Sequence, residues 1–246
     1  MKEPMADKKK QIKLNPCDLE SSDRASIDEV IRGRDIPQLI TVEGPIGVGK
    51  TSLTKKLAQS FNYDTLLEAA EENPFLENFY KNRRQNALAT QLFFLLQRAQ
   101  QIQNMKQKDL FSPVHVADFL IEKDRLFARA NLDNNEFKLY QQVYSQLTIN
   151  SPKPDLVIYL QSPVDVLMDR IYKRGRKVEQ NIDKDYLELL NEAYSEFFLY
   201  YDDAPLLIVN CSEIDIINNQ NDYLKLIDYL LDIRSGRHYF NPTIFK

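Results

Sequence analysis

The chain has 246 residues, 43% of them hydrophobic, with a formal net charge of −4, two cysteines and two histidines. That charge gives no reason to expect a nucleic-acid polymer or an anionic membrane as partner, and no apolar run approaches the roughly 18 residues of a membrane span. With only His115 and His238, a histidine-based metal site or triad is not expected, while Cys17 and Cys211, far apart and without metal-ligand spacing, point to a reducing, cytoplasmic setting.

Residues 1–36 are polar, with three consecutive lysines at 8–10, and read as a flexible leader; a short helix over 26–31 docked on the core is the alternative. Residues 37–246 then read as one α/β domain. The apolar run Leu39 to Val42 predicts a buried strand, and Gly44, Pro45, Ile46, Gly47, Val48, Gly49, Lys50, Thr51 and Ser52 follow as a phosphate-binding loop opening a helix. Glycines let the backbone aim its N–H groups at an anion on the helix N-terminus. Lys50 can reach the β- and γ-phosphates, and the Thr51 hydroxyl suits Mg²⁺.

A second strand is expected over 64–68, closed by Glu68, and a third over 114–119, closed by Asp118 at its next-to-last position. Ligands of open α/β sheets sit outside the carboxyl ends of the strands, so both acids stand where chemistry occurs. Glu68 is placed to take a proton from an attacking hydroxyl, and Asp118 to hold Mg²⁺ directly or through water. Between them a long helix is expected over 82–105. Gln91 and Arg98 lie two turns apart on one of its faces, either as a solvated face or as part of a pocket.

The segment 121–131 begins another helix and 132–147 extends the helical region, with Asp133 and Glu136 resembling a capping box. Fourth and fifth strands are expected over 155–161 and 205–211, with helices over 164–173 and 184–201 between them, and a last helix over 223–233 before a polar tail. Arg170, Arg174 and Arg176 form a basic run suited to cover a transferring phosphoryl group. Alternating strands and helices imply a three-layer fold with a five-stranded parallel sheet flanked by helices and a short arginine-rich lid.

Five segments in order, GPIGVGKTSL, LLEAAEENPFLENFY, TQLFFLLQR, DFLIEKDRLFA and RIYKRGRKVEQNI, resemble the deoxyribonucleoside kinase family over residues 38 to about 233. The resemblance implies a P-loop kinase that moves the γ-phosphoryl of ATP, with Mg²⁺, to the 5′-hydroxyl of a deoxynucleoside in nucleotide salvage. It gives Lys50 and Thr51 to ATP and magnesium, and makes Glu68 the general base. Gln91, Arg98 and Asp124 become the base-recognising trio and Tyr80 with Glu179 the holders of the sugar 3′-hydroxyl. Arg170, Arg174 and Arg176 become the lid and Asp118 the acid near the metal. It also implies a homodimer, although the apolar faces over 88–102 and 132–147 suit packing on the sheet equally well.

Many members carry Glu-Arg-Ser where this chain has Asp118, Phe119 and Leu120. The shorter acid predicts a water between Asp118 and the metal, and either Lys123 or Arg125 would take the arginine's place. This variant resembles bacterial members that favour purine deoxynucleosides, and Ala128, where many relatives have an aromatic against the base, leaves room for a purine. Two further readings of the same motifs are a nucleoside monophosphate kinase of the thymidylate kinase type and a catalytically silent kinase-like subunit.

Overall fold

The computed structural model describes residues 21–108, 115–147, 151–212 and 214–241. Strands β1 (Leu39–Glu43), β2 (Asp64–Leu66), β3 (His115–Ala117), β4 (Leu156–Gln161), β5 (Leu206–Asn210) and β6 (Arg237–Phe240) form one parallel sheet in the order β2-β3-β1-β4-β5-β6. The connecting helices are α1 (Ser21–Ile31), α2 (Lys50–Phe61), α3 (Leu76–Lys81), α4 (Arg83–Lys108), α5 (Lys123–Asn131), α6 (Asn134–Gln146), α7 (Val164–Arg174), α8 (Lys184–Leu199) and α9 (Gln220–Leu230).

The central strands are mostly apolar because both faces are covered, with polar residues chiefly at their carboxyl ends, and alternate residues go to opposite layers. Val157 and Tyr159 of β4, with Leu206 and Ile208 of β5, join Tyr194 and Phe198 of α8. Ile158, Leu160, Leu207 and Val209 join Leu53 and Leu57 of α2 and Leu226 and Ile227 of α9. The three-layer architecture is therefore as expected.

The sheet has six strands rather than five. The segment expected to be a polar tail contains β6, which pairs in register with β5 from Leu206↔Arg237 to Val209↔Phe240. Of its four residues only Phe240 is buried, so no apolar alternation marks it. Backbone pairing and Arg237, which donates to the carbonyls of Phe198 (2.9 Å) and Leu199 (2.8 Å) at the end of α8, hold it instead.

Within residues 21–36 the structure has a helix docked on the core, the alternative raised for the leader. Helix α1 packs on α2 and α9, with Ile27 fully buried and Arg24 donating to the Gln59 carbonyl at 2.7 Å. Arg34 then bridges Asp228 and Asp232 of the C-terminal helical segment, each at 2.5 Å. Residues 1–20 lie outside the described residues, as does Val114 of the expected third strand. The capping box stops the helical region from running on through residue 132: Asp133 accepts from the N–H groups of Asn135 and Glu136, Glu136 accepts from that of Asp133, and α6 starts afresh there.

Strand β1 lies between β3 and β4, so connections leave it toward both edges and open a crevice at the carboxyl ends of the strands. The loop 44–49 follows β1, Glu68 lies two residues past β2, Asp118 directly follows β3, and α7 leads from β4 to the arginine-rich segment.

Candidate active site

The backbone after β1 turns through Gly44 at φ +147°, where an added Cβ would lie 2.5 Å from the Leu160 carbonyl oxygen. Only glycine fits so close an approach. Lys50 opens α2 and folds back so that its Nζ donates to the carbonyls of Gly44 (2.7 Å) and Pro45 (3.1 Å). Burial, with the neighbouring Lys123 charge, lowers its ammonium to about 8.

Asp118 joins three elements. Its Oδ2 accepts from the Thr51 hydroxyl at 2.6 Å and its Oδ1 from the Glu68 N–H at 2.7 Å, so the carboxylate locks the start of α2 to the segment after β2. This pair of hard oxygen donors fits a small divalent cation, which characteristically takes one or two protein ligands and completes its shell with water and phosphate oxygens. Among the described residues no group of three or more His, Cys, Asp or Glu side chains could hold a metal by itself. When bound there with a nucleotide, magnesium would offset charge on the phosphate oxygens.

The Glu68 carboxylate is gripped from two sides. Arg98 of α4 reaches one oxygen, and Lys123 Nζ of α5 donates to the other at 2.9 Å. Burial by itself would raise this carboxyl, but Arg98 first and then Lys123 outweigh it and hold it at about 2. The same Arg98 guanidinium pairs with Asp124, which is fully buried behind it. Burial, with help from Glu68, raises the Asp124 carboxyl to about 6 against the pull of Arg98. Gln91, 3% exposed, stands two turns before Arg98 on the same cleft-facing side of α4.

Across the cleft, a 3₁₀ turn over Lys177–Glu179 follows α7. Glu179 accepts from Arg174 through Nε (3.0 Å) and Nη2 (2.6 Å), and Arg176 lies 3.7 Å from Glu179 and 3.3 Å from Glu71. Tyr80 stands beside Phe79 and Tyr186, and burial pushes its hydroxyl well above the usual tyrosine range.

One cleft thus brings together Ile46, Gly47, Lys50, Thr51, Glu68, Tyr80, Gln91, Arg98, Asp118, Arg174, Arg176 and Glu179. The solvated-face reading of Gln91 and Arg98 is excluded by their burial. Arg170 does not join the other two arginines. It donates to the carbonyls of Val48 (3.2 Å) and Cys211 (3.0 Å) and lines a second cleft with Gly49, Asp215 and Asn218 on the far side of the phosphate loop. Ala128 is likewise outside the cleft lining: it packs with Leu95 and Tyr140, and its neighbour Phe127 faces the cleft instead.

Sequence reasoning passed over Glu43. Its carboxylate, 1% exposed, accepts from the N–H groups of Leu120 (2.7 Å) and Gly44 (3.1 Å) and from the Tyr194 hydroxyl (3.0 Å). An acid directly before the first loop glycine, at the end of an apolar strand, was the available signal. Phe94, Phe127 and Tyr186 were also passed over as cleft walls.

A family model described as deoxynucleoside kinase matches residues 40–233. The chain is 32% identical to a deoxyguanosine kinase of Bacillus subtilis over 79% of its own length and 96% of the relative's. It is 33% identical to a deoxyadenosine kinase of Lactobacillus acidophilus over 78% and 95%. Among solved structures, deoxyadenosine kinase from M. mycoides with bound dATP superposes with a TM-score of 0.67 at 28% identity, covering 79% of this chain and 99% of that one. The same enzyme with bound dCTP gives 0.66 at 27% identity.

The phosphate loop supplies a test that needs no knowledge of the acceptor. Gly44→Ala places a Cβ on the Leu160 carbonyl in a backbone conformation alanine resists, a strain of roughly 1 to 3 kcal/mol. Urea denaturation is expected to show that loss, and calorimetric titration with Mg·ATP at least a tenfold weaker affinity.

Proposed function

The chain belongs to the deoxynucleoside kinase family, ATP-dependent enzymes, and on that premise we propose that it transfers the γ-phosphoryl of ATP to the 5′-hydroxyl of a purine deoxynucleoside. The observation that carries this reading is the order of groups in one cleft: phosphate loop, then Glu68, then the buried Arg98 and Gln91, with Asp124 paired to Arg98 behind the cleft lining. A nucleoside laid along that row has its 5′-hydroxyl at Glu68 and its base at the far end.

Each residue then has a distinct task. Lys50 and the loop amides hold the ATP phosphates, and Thr51 and Asp118 hold magnesium. Glu68 accepts the proton as the 5′-oxygen attacks, and Arg174 and Arg176 exchange carboxylates for the transferring phosphoryl group. Tyr80 and Glu179, which line the same cleft as Glu68, hold the sugar 3′-hydroxyl. Arg170, on the other side of the loop, is suited to the ATP end rather than to the lid.

The purine preference rests on the relatives rather than on the base end. Asp124 Oδ2 and Arg98 Nε are buried without a partner, one an acceptor and one a donor, but every base offers a donor beside an acceptor: the amino group and ring nitrogen of adenine and cytosine, the ring N–H and carbonyl of guanine and thymine. The named relatives act on purine deoxynucleosides. A homodimer through α4 and α6 fits the half-exposed Leu96 and Leu139 on those helices.

Comparison of kcat/KM for deoxyadenosine, deoxyguanosine, deoxycytidine and thymidine at fixed Mg·ATP is expected to favour one of the purines at least tenfold. A pyrimidine preference would overturn the base reading and keep the reaction; turnover of dTMP alone would move the enzyme to the monophosphate kinases, and ATP binding without any turnover would make it a silent subunit. Glu68→Gln is expected to lower kcat by about 10² or more with ATP affinity nearly intact, as loss of a general base does; an unchanged kcat removes Glu68 from that role. Sedimentation is expected to give twice the chain mass, and Leu96→Glu with Leu139→Glu a monomer; a wild-type monomer would remove the dimer.

A further inference from the structure

Lys123 and Arg125 of α5 are two candidate cations for the Glu68 carboxylate. Lys123 opens α5 with its side chain 4% exposed, its Nζ 2.9 Å from Glu68 and 3.8 Å from Glu43. The other candidate, Arg125, is turned away: its guanidinium lies 6.0 Å from the Tyr144 ring and takes no part in the cleft lining.

An ammonium this far from water keeps its charge only because carboxylates face it, and the dependence is mutual. Glu43 is the last residue of β1, bonded to the N–H of Gly44, the first residue of the phosphate loop. Lys123 therefore connects the carboxylate that receives the proton to the root of the loop that holds the phosphates. The separation between acceptor oxygen and phosphoryl donor is set through this lysine, and misplacement by about 1 Å in such a geometry can cost about 10² in rate.

We propose that Lys123 is a positioning residue for phosphoryl transfer, acting through Glu68 by fixing its carboxylate against the base of the phosphate loop. This rests on the reading of Glu68 as general base. Lys123→Met is expected to lower kcat by about tenfold to a hundredfold with KM for ATP changed less than about threefold, since the loop contacts of Lys50 and Thr51 are untouched. Lys123→Arg, which keeps a cation within reach of both carboxylates, is expected to restore kcat to within about tenfold of wild type.

The deciding experiment is the cycle with Glu68→Gln, assayed with saturating Mg·ATP and the preferred deoxynucleoside. A residue acting only through Glu68 has nothing left to position once that carboxylate is gone, so the double variant is expected to match Glu68→Gln alone within about threefold. A double variant slower than Glu68→Gln by the full Lys123→Met factor overturns the proposal and makes Lys123 a direct contact of phosphate or substrate. So does a Lys123→Met enzyme that melts normally and keeps wild-type kcat. Should Lys123→Met fail to fold, Lys123→Arg decides: kcat within tenfold at unchanged KM supports the proposal, and a hundredfold loss in a folded protein overturns it. A Glu68→Gln enzyme with wild-type kcat would instead sink the general-base reading on which this one stands.

Discussion

A carboxylate buried away from water must be met by a cation or by hydrogen-bond donors, and the cleft is arranged around that constraint. Glu43, Lys123, Glu68, Arg98 and Asp124 form a row of alternating sign running from the phosphate loop to the far end of the cleft. Its members come from β1, the segment after β2, α4 and α5, so the row assembles only when those elements are docked. Removing one partner from such a buried pair leaves an uncompensated charge worth roughly 3 to 5 kcal/mol, which couples the correct folding of the site to the correct packing of four elements. Asp118 adds a second tie by joining Thr51 to the Glu68 backbone.

The two walls of the cleft use charge differently. On the Glu68 side, the pairs are buried and fixed. On the other side, Glu179 holds Arg174 and Arg176 at the cleft rim, where both arginines are more than a third exposed. Partly solvated pairs of this kind contribute little to stability and can be exchanged at small cost. An incoming phosphoryl group can compete for those guanidinium groups, since charge-assisted bonds to phosphate and to carboxylate are of similar strength. The exchange would release Glu179 for a hydroxyl donor. Arg170, one helical turn before Arg174 on α7, lines a different cleft, where it donates to the carbonyls of Val48 and Cys211.

Much of this was legible in the sequence where chemistry demands adjacent residues. The run from Gly44 to Ser52 carries its own geometry, and Glu68 and Asp118 stood out as acids near the ends of short apolar segments. What was not legible depends on partners distant in the chain. β6 has one buried residue and is a strand because β5 offers it a backbone edge. Residues 21–36 dock through Ile27, buried in the core, and through Arg34 reaching Asp228 and Asp232, almost two hundred residues away. Ala128 and Phe127 differ by a turn of about 100° on α5, and that angle, invisible without the docking of α4 and α6, decides which of them faces the cleft. The choice between Lys123 and Arg125 was of the same kind.

Asp124 Oδ2, buried and without a hydrogen-bond partner, has a consequence for selectivity. An unsatisfied acceptor of this kind costs about 1 to 3 kcal/mol. A ligand with a donor at that place relieves the penalty, while an analogue without one leaves it in force, and the difference between them is discrimination. Asp124 shares Arg98 with Glu68, so any displacement of that guanidinium acts on both carboxylates at once. Lys123 meets the other Glu68 oxygen from α5.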